Sequence, residues 1–162
     1  MIPMKLDRID EFTAASTAFK RAFDNSGKVD RSYQVLNLHD GIARDAESIG
    51  AEIVVAQYFG IKNFEPTSGT FKNAADVGSS IEVKHTSYKN GHLIIKDSDR
   101  NQDIAVLVVG KSPDYWIVGW IPVSVAKRDK YRHEKSGSWW VSQINLQPID
   151  TLRKSNYGNA QL

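Results

Sequence analysis

The 162-residue chain predicts a single domain of the α/β or α+β class, a central mixed β-sheet flanked by helices. Three observations carry that expectation. Apolar residues recur at helical spacing through the first sixty positions, and after Gly60 the period changes to that of strands. Hydrophobic residues make up 41% of the chain and charged residues 25%, a balance typical of a globular domain long enough to bury a core without staples.

Taken in order, Leu6, Ile9, Phe12, Ala15, Phe19 and Phe23 mark a first helix, which Asn25-Ser26-Gly27 breaks. A second helix is expected from about Asp40, a suitable N-cap, to Tyr58 or Phe59. Gly60 closes it, and Ile42, Ala46, Ile49, Ile53 and Ala56 form its buried stripe. Residues 63–74 hold Pro66, Ser68 and Gly69 and read as a strand start and a loop. Residues 75–77 and 81–85 read as two short strands joined tightly through Gly78-Ser79. Further strands are expected over 93–96, 104–109 and 115–120, with turns at Asn90-Gly91 and Ser112-Pro113-Asp114. Pro122 opens a short helix through Lys127, and 139–144 is a last strand. Helices first, then a mostly antiparallel sheet, is the α+β or mixed α/β order. The domain divides into a helical extension over 1–35, a core over 36–152 and a polar tail over 153–162.

Several chemistries fall away. The chain has no cysteine, which removes disulfides, thiolate zinc sites, iron–sulfur ligation and cysteine nucleophiles. Residues 1–10 lack the apolar stretch of a signal peptide, and the longest apolar run, 104–109, is far short of the ~18 residues of a membrane span. A cytoplasmic protein with no membrane partner is expected. No G-x-x-x-x-G-K-[ST] loop, no G-x-G-x-x-G after a strand and no G-x-S-x-G elbow occurs, so no nucleotide cofactor is expected. The net charge of +2 permits a polyanionic partner without demanding one.

The informative segment is 75–84. Strand alternation sends Ile81 and Val83 to one face and Glu82 and Lys84 to the other. If Asp76 lies on the preceding arm, its carboxylate converges with that of Glu82. Two carboxylates and a lysine suit phosphodiester hydrolysis. Mg²⁺ prefers oxygen ligands and usually binds through one or two carboxylates. Asp76 and Glu82 would hold it, with the Val83 carbonyl as a third ligand, and Lys84 would orient water or offset charge on the phosphate. On the second helix Glu52 borders the apolar stripe, where metal coordination or a water-mediated contact would give a charge at the core's edge its reason. Asp45 shares that flank, and Glu47 faces the opposite, solvent side. Glu82 and Lys84 as the plain solvent face of an edge strand is the competing reading.

Asp76 followed by Glu82-Val83-Lys84 resembles the D…(D/E)-x-K signature of the PD-(D/E)XK nuclease superfamily, with Ala75 where proline is common. The helical segment 50–60, carrying Glu52, resembles the glutamate-bearing helix that precedes the motif in many members. Residues 118–122, Lys127-Arg128 and 140–146 are similar to small phage and prophage members. The resemblance spans roughly 40–152. It implies a restriction-endonuclease-like core with two N-terminal helices, Mg²⁺ or Mn²⁺ dependence and cleavage of DNA. The catalytic set would be Asp76, Glu82, Lys84 and Glu52, with metal on Asp76, Glu82, Glu52 and the Val83 carbonyl. A homodimer is compatible with it. Two other classes stay open: a nucleic-acid-binding module of this fold without turnover, and a phage structural or assembly protein.

Outside the motif, Lys127, Arg128, Lys130 and Arg132 form the densest basic run, and Lys89 and His92 sit on a turn; all six are candidate DNA contacts. A solvated surface is the alternative for each. His85 alternates to the core face and reads as structural. Asp97 and Asp99 read as a solvated loop, and Asp103 is ambiguous. One of Trp139 and Trp140 must face outward if their segment is a strand.

Overall fold

A computed structural model describes residues 1–28, 35–69 and 73–157. Two helices come first after a short strand. The strand β1 is Ile2–Lys5, and α1 is Arg8–Asp24. The Asp7 carboxylate starts α1 by accepting from the Asp10 N–H at 2.8 Å, and Asp10 and Glu11 complement the positive end of the helix. The second helix, α2, is Leu38–Phe59. Its N-cap is Asn37, whose side chain accepts from the Asp40 N–H at 2.9 Å and donates to the Asp40 carboxylate at 2.7 Å. Asp40, expected as the cap, thus lies inside the first turn as the cap's partner. Gly60 closes the helix at φ 71°, the left-handed conformation that favours glycine.

The strands are β2 (Ile81–Thr86), β3 (Leu93–Ile95), β4 (Ile104–Lys111), β5 (Asp114–Pro122), β6 (Arg132–His133) and β7 (Ser138–Val141), with a short helix α3 (Val123–Ala126) after β5. The main sheet has the order β1-β5-β4-β2 and the smaller one β3-β7-β6. All pairings are antiparallel except β2 with β4, which run parallel in the register Glu82↔Ala105 and Lys84↔Leu107. The main sheet is therefore mixed, and the fold is α+β, as expected.

Helix α2, with α1 packed on it, covers one face of the main sheet, and the small sheet with α3 covers the other. Strand β4 is buried from both sides. Ile104, Val106 and Val108 face Ile49, Ile53 and the helices, while Ala105, Leu107 and Val109 face Leu93, Ile95 and Val141. That double burial is why the segment reads as an unbroken apolar run. Among the described residues no helix is long and apolar enough to cross a membrane.

Two local expectations change, and the first helix shows which of its faces is covered. The first residues, placed in a helical extension, instead form β1, which pairs with β5 as an edge of the main sheet. Residues 75–77 do not form a strand. One bridge, Val77↔Ile81, closes the turn around Gly78 at φ 60°. The first-helix stripe is helical but outward. Ala14 and Ala18 face the core, whereas Ile9, Phe12, Phe19 and Phe23 are 61–74% exposed. Small residues let α1 approach α2 closely, and the large ones are left on the far side.

Candidate functional site

Strand β2 is an edge of the main sheet, so one side of its backbone faces no strand. Alternation works as expected: Ile81 is fully buried and Val83 packs on the same core, while Glu82 and Lys84 share the other face. The Lys84 Nζ donates to Glu82 Oε1 at 2.8 Å. Asp76 arrives by the tight turn and accepts from the Val83 N–H at 2.8 Å. In a strand the N–H and C=O of one residue project to the same side. The Val83 carbonyl therefore opens to the free edge beside Asp76.

Glu52 rises from α2 beneath this edge and is 8% exposed, almost its whole surface taken from water. Burial, and then the Asp76 charge, push its pKa from 4.5 to about 8. Burial also lifts Glu82 to about 7, with Lys84 opposing the shift and Asp76 adding to it. Asp76 is raised as well, by burial, against the pull of the Val83 N–H and of Lys84. For Lys84 burial works to lower the pKa, but the carboxylates of Glu82 and Asp99 outweigh it and hold the amine protonated. The predicted set of Glu52, Asp76, Glu82 and Lys84 is thus gathered in one place.

Asp99, expected in a solvated loop, belongs to the site. Its carboxylate accepts from Lys84 Nζ at 2.9 Å and from the Lys96 N–H at 2.8 Å, and its side chain is 9% exposed. The parallel β2–β4 pairing explains this. The loop before β4 must end beside the start of β2, and only knowledge of that pairing would have placed Asp99 next to Lys84. Arg100 grips buried Asp103 through two hydrogen bonds of 2.8 and 2.6 Å and donates to the carbonyls of Asn73 and Ser79. It ties down the loop that carries Asp76. Arg21 of α1 donates to the Thr67 carbonyl at 2.8 Å and lies 4.0 Å from Glu52, while its buried Nε has no hydrogen-bond partner among the described residues. Arg21, Asp76, Glu82, Asp99, Arg100 and Asp103 line a cavity of about 210 Å³.

The donor set is all oxygen, and beyond the effect of burial the neighbouring carboxylates raise one another's pKa values, as closely placed anions do. Such a set fits a hard divalent cation. Among the described residues no three His, Asp or Glu side chains form a ready-made metal cage. Glu82 leans to Lys84, and one oxygen of Asp76 is engaged by Val83.

The basic candidates divide. Lys127 turns inward. Its Nζ donates to the carbonyls of Asp97 at 3.0 Å and Asp99 at 2.6 Å and lies 5.7 Å from the Trp139 ring centre. Arg132 stacks over Trp139 at 4.3 Å and Lys130 over Tyr131 at 4.5 Å. Arg128, Lys89 and His92 are exposed. His92 lies against Trp140, the outward member of the tryptophan pair, and His133 stacks on the same ring at 4.3 Å. A groove of about 750 Å³ runs from Lys84 past Tyr88 and His92 to Trp140.

Other residues are structural. His85 bonds through Nε2 to the Gly110 carbonyl at 2.9 Å, and burial lowers its pKa. Asp45 pairs with its neighbour Arg44 at 3.3 Å. Glu47, expected on the solvent side, instead accepts from the Tyr115 hydroxyl at 2.8 Å and the Ser112 N–H at 2.9 Å. The hairpin joining β4 to β5 folds back over α2 and reaches it. Compared with known proteins, the chain matches no family model, no curated protein and no solved structure, so its functional reading rests on this geometry.

Proposed function

We propose that the protein is a divalent-metal-dependent deoxyribonuclease of the PD-(D/E)XK type. One observation carries the reading: Glu82 and Lys84 share a face of an edge strand, and Asp76 is fastened to the intervening Val83 N–H. Buried Glu52 beneath them supports it. An ordinary solvent face would not gather three carboxylates whose pKa values are all raised by burial. Asp76, Glu82, Glu52 and the Val83 carbonyl would hold Mg²⁺, with Mn²⁺ able to replace it. When bound, the cation polarises the scissile phosphate and acidifies water.

The chain's own groups supply the rest. Lys84, kept protonated by Glu82 and Asp99, donates to the attacking water or to a phosphate oxygen as negative charge builds. Asp76 keeps one carboxylate oxygen unbound by Val83, which would be free for the cation. Lys89, His92 and Arg128, all exposed, would meet the DNA backbone, with Lys130 and Arg132 as further contacts and Lys127 bracing the Asp97–Asp99 turn. A cytoplasmic setting goes with this role.

The test is incubation with supercoiled plasmid and linear duplex in Mg²⁺, Mn²⁺ or EDTA, with Lys84→Ala alongside. Cleavage that needs the cation and Lys84 is the expected result. A shifted but uncut band would favour a binding module, and intact, unshifted DNA would remove the nucleic-acid reading.

A further inference from the structure

The outward face of α1 points to a second function of that helix. Ile9, Phe12, Phe19 and Phe23 form one stripe and are 61–74% exposed. At about 100° per residue the stripe lies roughly 160° around the helix from Arg21, which faces the carboxylate cavity. Nothing in the described chain covers it.

The stripe is arranged symmetrically about Ser16, a small exposed residue at its centre. Ile9 and Phe23 each stand seven residues from Ser16, and Arg8 and Asp24 each stand eight. Phe12 lies four residues before Ser16 and Phe19 three after it. Laid antiparallel on a copy of itself, the helix would place Ile9 on Phe23, Phe12 on Phe19, and Arg8 beside Asp24, all twice over. The two serines would meet on the axis, where small side chains permit close approach. An isologous contact needs this self-complementarity, in which residue i meets j and j meets i.

We infer that α1 is the interface of a twofold homodimer, its partner being a second copy of this chain. The area agrees. A large apolar side chain carries roughly 150–250 Å². At these exposures the four present about 400–500 Å² per copy, so two copies bury about 900 Å² before the rim is counted. With Arg8, Thr13, Lys20 and Asp24 around them, the total passes the ~1,000 Å² of a specific interface. Each carboxylate cavity lies on the far side of its helix and stays open.

The test is sedimentation velocity on the full chain from about 1 to 100 μM, with and without Phe19→Glu and Phe23→Glu. A species of twice 18.1 kDa is expected for the wild type and monomer for both variants, with unchanged circular dichroism. Two further experiments, a cross-linking pair and a charge exchange, read the geometry without touching an apolar residue. In this cysteine-free chain Ser16→Cys should cross-link to its own copy on oxidation, whereas Lys5→Cys should not. Arg8→Asp and Asp24→Arg should each weaken the dimer about three- to tenfold, and the double exchange should restore it. A monomer at every concentration, a dimer that survives Phe19→Glu, or a Ser16→Cys chain that does not cross-link would each overturn the proposal.

Discussion

Glu52→Gln should stabilise the cation-free protein, and the gain should depend on pH. The glutamate is almost fully buried, and its pKa rises from 4.5 to about 8 because burial disfavours the charged form. Below about pH 4.5 both folded and unfolded chains hold the proton, and the group costs nothing. Between there and pH 8 the folded chain keeps a proton that the unfolded chain releases, so stability falls as pH rises. Each pH unit in that window is worth about 1.4 kcal/mol. At pH 7.5 the full sum approaches 4 kcal/mol, and relaxation of a site that still has Arg21 nearby brings the expected gain to about 2–3 kcal/mol. For a chain of this size that is roughly 5–10 °C in Tm. Thermal unfolding in EDTA from pH 5.5 to 8.5 measures it. The variant's advantage should grow with pH and fade toward pH 5. A difference that is constant with pH would locate the effect in packing, and no difference at pH 8 would refute the burial argument.

Other residues give equally direct expectations. Asp99→Asn removes one of the two carboxylates that raise the Lys84 pKa, so the amine should become more often neutral and react faster with an acylating reagent at pH 8–9, as peptide mapping would show. Arg100→Ala leaves the Asp103 charge buried and unpaired and frees the loop over 73–80. It should cost about 3–5 kcal/mol in urea unfolding and expose that loop to proteolysis. Gly50→Ala would bring a methyl group to 2.5 Å from the Tyr115 hydroxyl and 3.2 Å from Leu6, displacing the Tyr115–Glu47 bond at a cost of about 1–3 kcal/mol. Adding Tyr115→Phe should recover part of that loss.

What the sequence revealed follows the range of the interactions. Strand alternation is local, so Ile81 and Val83 inward and Glu82 and Lys84 on one face could be read from five residues. The stripe of α2 and the Gly60 cap are local too. Glu52 was legible because a charge beside an apolar stripe is conspicuous. Asp99, Arg21 and Arg100 were not, since each reaches the site through a pairing or packing that no nearby residue announces. Strand β1 was hidden because four residues beside a strong helical pattern give too little period to detect. The first helix misleads in the opposite sense. Its large residues have the right spacing, but spacing alone does not say which face is covered, and here two alanines take the core.

The charges of the site leave one pair unbalanced, and this predicts its response to a cation. Arg100 is satisfied by Asp103, and Lys84 is shared by Glu82 and Asp99. Glu52 has mainly Arg21, which stands 4.0 Å away, and Asp76 has only a share of Lys84 and of Arg21. In the absence of a cation, protons make up the difference. With Glu52 at about 8 and Glu82 at about 7, a neutral solution holds nearly one proton on the first and half of one on the second. If these groups bind Mg²⁺ as proposed, they must release that proton load, roughly one to one and a half per ion at pH 7. Titration calorimetry in buffers of different ionisation enthalpy counts it directly. The number should fall toward zero by pH 9, where the carboxylates are already ionised, and affinity should rise over the same range. Glu52→Gln should remove most of the release at pH 7. Binding with no proton release at pH 7, or with a release that does not change up to pH 9, would place the cation away from Glu52 and Glu82. The buried acids would then be a feature of the fold rather than of its chemistry.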